Sequence, residues 1–198
     1  MRKLIAITQV TLDGVMQAPG GPEEDPSNGF TNGGWAMPFV DDAAGQVIDE
    51  IIAGEFDILL GRRTYQIFAG YWPNQGDNPI AKAFNKATKY VVTRSLDRFD
   101  WEKSQRIDGD VVEEVRQLKA SDGPALHIWG SSELLQTLIA ADLVDEYRIA
   151  VFPVVLGQGK RLFENGVPPR GLSLVATRST PRGILLNTYR PAGPLPKV

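Results

Sequence analysis

Between Ala125 and Trp129 runs a short apolar stretch that stops at Gly130; Ser131 and Ser132 follow, and Leu134, Leu135, Leu138 and Ile139 then recur at helical spacing. That order specifies a buried strand, a tight turn and the start of a helix. The same grammar occurs earlier, where Phe56-Asp57-Ile58-Leu59-Leu60 ends in Gly61 and Arg62-Arg63-Thr64-Tyr65 opens a short helix through Phe68. A chain that repeats strand, glycine and helix covers its strands with helices. It is thereby committed to an α/β architecture with a largely parallel sheet.

The remaining segments fit that plan. Residues 3–10 are apolar and β-branched on both faces, as a central strand requires. Val47, Ile48, Ile51 and Ile52 mark one face of a helix, and Val111, Val112, Val115 and Leu118 mark another. Strands are expected over 89–93 and 147–155; 99–107 reads ambiguously, with an edge strand as one option. Residues 172–178 and 183–189, joined by Ser179-Thr180-Pro181-Arg182, read as a C-terminal β-hairpin. The expected molecule is a single α/β domain over 1–190 with a mixed, largely parallel sheet flanked by helices, and a loose tail over 191–198. The segment Gln17–Gly34, rich in Gly, Pro, Asn and acidic residues, is long for a compact domain. It is read as either a functional lid or a mobile insertion.

Several function classes are excluded by composition. The chain of 198 residues has no cysteine and one histidine, which argues against thiolate chemistry, a histidine-based zinc site and a Ser-His-Asp triad. No metal site is expected. His127 lies inside an apolar strand and reads as a packed residue. A net charge of −3 speaks against general nucleic-acid binding. No apolar run approaches the roughly 20 residues of a membrane span, and the apolar start at Leu4 is too short for a secretory signal. The cytoplasm is the default compartment.

In open parallel sheets, ligands gather beyond the carboxyl ends of the strands. Three segments are expected there: Gly61-Arg62-Arg63-Thr64, Thr93-Arg94-Ser95 and Gly130-Ser131-Ser132. Two bring helix N-termini with hydroxyls and two bring guanidinium groups, which together suit a ligand carrying a pyrophosphate and a further phosphate. The bland alternatives are ordinary N-capping by Ser131 or Ser132 and solvated surface arginines. There is no Gly-x-Gly-x-x-Gly after the first strand, and Gly159-Lys160 lacks the rest of a P-loop.

These three segments resemble the cofactor-binding segments of dihydrofolate-reductase-like folds. Thr11-Leu12-Asp13-Gly14 and Pro153-Val154-Val155-Leu156-Gly157-Gln158-Gly159-Lys160-Arg161-Leu162-Phe163 narrow the resemblance to the reductase (RibD C-terminal) domain of the bifunctional riboflavin-biosynthesis deaminase/reductase and its stand-alone relatives. The resemblance implies NADPH as cofactor. Gly61, Arg62, Arg63 and Thr64 would approach the adenosine side, Thr93, Arg94 and Ser95 the 2′-phosphate, and Gly130, Ser131 and Ser132 the pyrophosphate. The implied activity is hydride transfer to a C=N or C=O bond of a small heterocyclic or sugar-linked substrate, including the 5-amino-6-(5-phosphoribosylamino)uracil type. An NADPH-binding module without turnover is the alternative.

The substrate side offers fewer signals. Asp13, in the turn beside the expected nicotinamide, and Asp42, near the start of the helix after Trp35-Ala36-Met37-Pro38-Phe39, are the candidate catalytic carboxylates. Asp13 also reads as a turn residue before Gly14, and Asp41 and Asp42 as helix caps. Lys160-Arg161 is the basic pair left to receive a ribosyl phosphate. The partner expected is a small molecule, and the terminal hairpin is a surface on which a homodimer is conceivable.

Overall fold

The computed structural model describes residues 1–164 and 166–195. β1 (Leu4–Thr11) leads through a long loop to α1 (Asp42–Ile52), then β2 (Phe56–Gly61), α2 (Arg62–Tyr71), α3 (Pro79–Lys86) and β3 (Lys89–Val92). There follow β4 (Ser104–Ile107), α4 (Val111–Ala120), β5 (Ala125–Trp129), α5 (Ser132–Ala140), β6 (Glu146–Phe152), β7 (Arg170–Ser179) and β8 (Leu185–Pro194). The eight strands form one sheet in the order β4-β3-β2-β5-β1-β6-β8-β7. Every pairing from β4 to β6 is parallel, and β8 pairs antiparallel with both β6 and β7.

Strand periodicity sorts the side chains onto two faces. Leu59 of β2 joins Leu4, Ala6, Leu126 and Ile128 in a core closed by Val115 of α4 and Leu134, Leu135 and Leu138 of α5. Its neighbours Ile58 and Leu60 point the other way, into a core with Phe56, Tyr65 of α2 and Phe84 of α3. A third cluster joins Val15, Trp35, Ala44 of α1, Phe152 and Ile184 beneath the long loop. His127 is buried within this packing, its ring stacked on Phe56 at 4.4 Å between centroids.

Two boundaries differ from those read in the sequence. The ambiguous 99–107 segment yields a short parallel edge strand, β4. The expected tail is partly strand, because β8 continues to Pro194 and pairs Pro191 with Leu172 and Pro194 with Arg170. Residues 196–198 of that tail lie outside the described residues.

The long loop is a folded segment pinned by one buried glutamine. Gln17 Nε2 donates to the carbonyls of Asp25 and Ser27 at 3.0 Å each, and its Oε1 accepts from the N–H of Lys160 at 3.0 Å. Its own carbonyl accepts from Trp35 Nε1 at 2.7 Å. A buried amide that satisfies both ends in this way holds four chain segments in register.

Candidate active site

The three segments meet. Pairing of Gly61 with Val92 places Thr93-Arg94-Ser95 next to the start of α2. From the other side, Gly61 donates its N–H to Ser131 Oγ at 3.0 Å, and Ser131 donates its N–H to Thr64 Oγ1 at 3.0 Å. Gly130 and Ser131 are both left-handed, at φ 58° and 51°. A Cβ on Gly130 would sit 3.2 Å from Thr64 Cγ2, so the approach of the two turns needs glycine there.

Capping separates these helices from the others. α1, α3 and α4 are capped by the side chains of Asp41, Asn78 and Asp110. α2 and α5 have no side-chain cap: the N-cap of α2 is Gly61, which has no side chain, and the Ser131 hydroxyl at the N-cap of α5 accepts instead from Gly61 across the turn. The first-turn N–H groups of both helices are therefore left for another acceptor, backed by two helix dipoles.

Three exposed arginines surround this edge. Arg94 has no hydrogen-bond or ion-pair partner among the described residues, Arg62 reaches only Gln66 at 3.5 Å, and Arg63 sits 3.6 Å from Asp25. Thr93 is buried, and its Oγ1 accepts from the N–H groups of Ser95 and Leu96 at 3.2 Å, which fixes the turn that presents Arg94. All ten predicted cofactor-binding residues line one cleft of about 1960 Å³. That exceeds the roughly 300–1,000 Å³ of a small-ligand pocket and leaves room for a dinucleotide beside a second molecule.

Beyond this edge the cleft is lined by Ile5 and Ile7 of β1, Val47, Ile48 and Ile51 of α1, and Phe152, together with the charged cluster of Glu146, Arg148 and Arg190. Neither candidate catalytic carboxylate reaches it. Asp13 faces a smaller pocket with Arg161 and Leu162. Its carboxylate accepts from Thr11 Oγ1 at 2.6 Å and from the N–H groups of Leu156 and Gly157 at 3.2 and 2.9 Å, tying the first turn to the segment after β6. The Thr11 hydroxyl and those amides outweigh desolvation and hold its pKa at about 2, so it is a fixed anion. Asp42 is exposed on the first turn of α1 and away from the cleft, while Asp41 caps that helix through the N–H of Ala44 at 2.9 Å.

The remaining basic pair is also engaged. Lys160 Nζ binds Asp25 at 2.6 Å, and Arg161 is held by the carbonyl and carboxylate of Asp13. Burial works to raise the Asp25 carboxyl, but Lys160 and Ser27 outweigh it and keep its pKa below the usual range. Also lining the cleft, Arg148 and Arg190 both pair with the buried Glu146.

One contributor was invisible in the sequence. Gly20 through Asp25 line the cleft, and Glu24 turns back so that its Oε2 accepts from the N–H groups of Gly20 and Gly21 at 2.6 and 3.2 Å. Its Oε1 has no hydrogen-bond partner among the described residues. Desolvation is the largest influence on this group and raises its pKa, against the two amides that lower it. The available signal was Gly-Gly-Pro followed by acids inside an overlong loop.

A family model for the RibD C-terminal domain matches residues 2–186. The chain belongs to that family. It is 31% identical over 196 residues to "Uncharacterized protein YyaP" of Bacillus subtilis (strain 168), covering 95% of this chain and 94% of that one. Among solved structures, it shares the fold of a Shewanella sp. PV-4 protein provisionally assigned to riboflavin biosynthesis, at TM-score 0.67 and 19% identity, over 96% of this chain and 98% of the other. Dihydrofolate reductase from Enterococcus faecalis complexed with NADP(H) superposes at TM-score 0.60 and 18% identity, over 96% of both chains. The fold is dihydrofolate-reductase-like. No described helix is long and apolar enough to cross a membrane, and no group of three or more His, Asp or Glu that could hold a metal occurs among the described residues.

Proposed function

We propose that this protein is an NADPH-dependent reductase that acts on a C=N or C=O bond of a small heterocyclic substrate. The observation that carries the reading is the junction of Gly61–Thr64 with Gly130–Ser132. Two uncapped helix N-termini and three exposed arginines converge there on one edge of the cleft. The donor set fits a nicotinamide dinucleotide phosphate: first-turn amides of α2 and α5 for the pyrophosphate, Arg94 with Ser95 for the 2′-phosphate, and Arg62 and Arg63 for the adenosine side. Bound there, NADPH supplies a hydride. The protein's own work is to hold it, to exclude water with the apolar walls of β1 and α1, and to present a substrate against them.

The substrate half favours an unphosphorylated molecule. Lys160 is paired with Asp25, and Arg148 and Arg190 share Glu146, so a ribosyl phosphate would compete with an internal carboxylate at each of them. This departs from the phosphoribosyl substrate among those that the family resemblance implies. Binding without turnover is the competing reading, and the placement of Asp13 and Asp42 outside the cleft favours it.

Titration of NADPH with the purified protein, followed by nicotinamide fluorescence, tests both readings, and absence of saturable binding would remove both. Oxidation of bound NADPH on adding 7,8-dihydrofolate, 7,8-dihydrobiopterin or 5-amino-6-(5-phosphoribosylamino)uracil separates them. The first two are expected to be reduced faster than the third.

A further inference from the structure

Glu24 occupies an unusual position for a loop carboxylate. The segment carrying it is fastened on three sides: Gln17 holds the carbonyl of Asp25, Lys160 holds the Asp25 carboxylate, and Arg63 of α2 lies 3.6 Å from the same carboxylate. Ala18, just before this segment, packs with Phe152 and Ala44 of α1. Glu24 therefore lines the cleft on a segment held between Arg63 of α2 on one side and the cluster of Ala18, Phe152 and Ala44 on the other.

The other acids along this cleft are committed or open to water. Asp25 is paired with Lys160, Glu146 with Arg148 and Arg190, and Glu50 with Arg178; Glu23 and Asp49 are exposed. Glu24 combines a half-buried position with an oxygen that has no hydrogen-bond partner among the described residues. Both amide bonds go to Oε2, which makes Oε2 the acceptor end of the group and leaves Oε1 as the oxygen that carries a proton.

Resting on the reductase reading, we propose that Glu24 is the catalytic acid, delivering a proton from Oε1 to the nitrogen or oxygen of the bond being reduced. Reduction of C=N needs one hydride at carbon and one proton at nitrogen. The hydride is the contribution of NADPH. The O–H bond of Glu24 breaks as the new N–H bond forms, and the carboxylate left behind is reprotonated from water. The two amides at Oε2 stabilise that carboxylate once formed, so the group can cycle between both states without the loop moving. Its pKa is raised, chiefly by partial loss of hydration, against the two amides that lower it.

The test uses two independent readouts on the full chain. Protein labelled with carboxyl-13C glutamate is titrated by NMR, the Glu24 resonance being the one lost in Glu24→Gln or Glu24→Asp. A midpoint above the usual glutamate range is expected, and a midpoint within or below it overturns the proposal. In parallel, reduction of 7,8-dihydrofolate and 7,8-dihydrobiopterin is followed together with NADPH binding. Glu24→Gln is expected to bind NADPH within twofold of the natural protein while kcat falls by about 100-fold or more. Glu24→Asp is expected to recover part of the loss, with the alkaline limb of the pH profile moved. Undiminished reduction by Glu24→Gln overturns the assignment of Glu24 and leaves the reductase reading standing. A natural protein that binds NADPH but reduces neither probe overturns both.

Discussion

Ser131 and Thr64, separated by 67 positions in the chain, are joined by a 3.0 Å hydrogen bond from the Ser131 N–H to Thr64 Oγ1. The Ser131 hydroxyl in turn accepts from Gly61, so each of the two turns supplies one donor and one acceptor to the other. Because the Ser131 hydroxyl is drawn across the gap, α5 is left without a side-chain cap. One pair of bonds thus both fixes the spacing of two helix N-termini and leaves that of α5 open to a ligand.

Thr64→Val keeps the shape of the side chain and removes the acceptor. The half-buried Ser131 N–H then lacks a partner, which costs about 1–2 kcal/mol. Urea denaturation should show that loss, and NADPH binding should weaken by more than the stability change explains, because the α5 turn is no longer held to α2. Ser131→Ala should weaken binding similarly, and the double variant should lose less than the sum of the single ones. Strict additivity would show that the two turns are positioned independently.

Arg94 gives a sharper test of ligand identity. It has no internal partner to release, and the Thr93 turn fixes where it points from. A charge-assisted bond to phosphate is worth about 1.5–3 kcal/mol, so Arg94→Ala should weaken NADPH by about tenfold or more. NADH lacks the 2′-phosphate and should be nearly unaffected. Equal losses for both dinucleotides, measured by fluorescence titration, would move the 2′-phosphate elsewhere.

These features differ in how far the sequence exposes them. Gly61, Gly130 and Ser131 were legible because strand, glycine and helix start are local signals, and parallel strands carry such turns to a common edge. What the serine hydroxyl does was not legible, since its partner Gly61 lies on another strand. What holds Asp13 was not legible for the same reason: the amides that it accepts from belong to Leu156 and Gly157. Glu24 went unseen because its environment depends on Gln17 and Lys160 folding the loop around it. The extension of β8 was hidden by Pro191 and Pro194. Beyond Tyr189 only β7 lies beside the strand, and the register there is irregular, which is where a strand tolerates proline.

The loop that carries Glu24 depends on a backbone crossing at Gly33. A Cβ at that position would lie 2.5 Å from the carbonyl oxygens of both Gly21 and Pro22, which are backbone atoms unable to swing aside. Gly33→Ala should therefore destabilise the protein by about 1–3 kcal/mol in urea denaturation and shift the amide resonances of Gly20 and Gly21. Gly21→Ala, where a Cβ would meet nothing within 4 Å, should be close to neutral. If both variants behave alike, the crossing does not set the position of the loop.

His127 makes acid stability a readout of the sheet interior. Desolvation is the largest cause of its lowered pKa, about 4 against an ordinary 6.5, with Arg148 adding to the shift and Glu146 opposing it. Between those values the unfolded chain binds a proton that the folded protein refuses. Stability therefore rises with pH across that window, is complete above pH 6.5, and is lost as pH falls toward 4. A shift of this size corresponds to about 3 kcal/mol. His127→Phe keeps a ring against Phe56 and removes the titration, so its urea-denaturation stability should fall less than that of the natural protein between pH 7 and 4. Asp13 acts in a separate, lower window: its folded pKa is depressed from 3.8 to about 2, so its contribution is present above 3.8 and lost on further acidification. Parallel stability curves for His127→Phe and the natural protein down to pH 4 would mean that the imidazole is already charged within the fold.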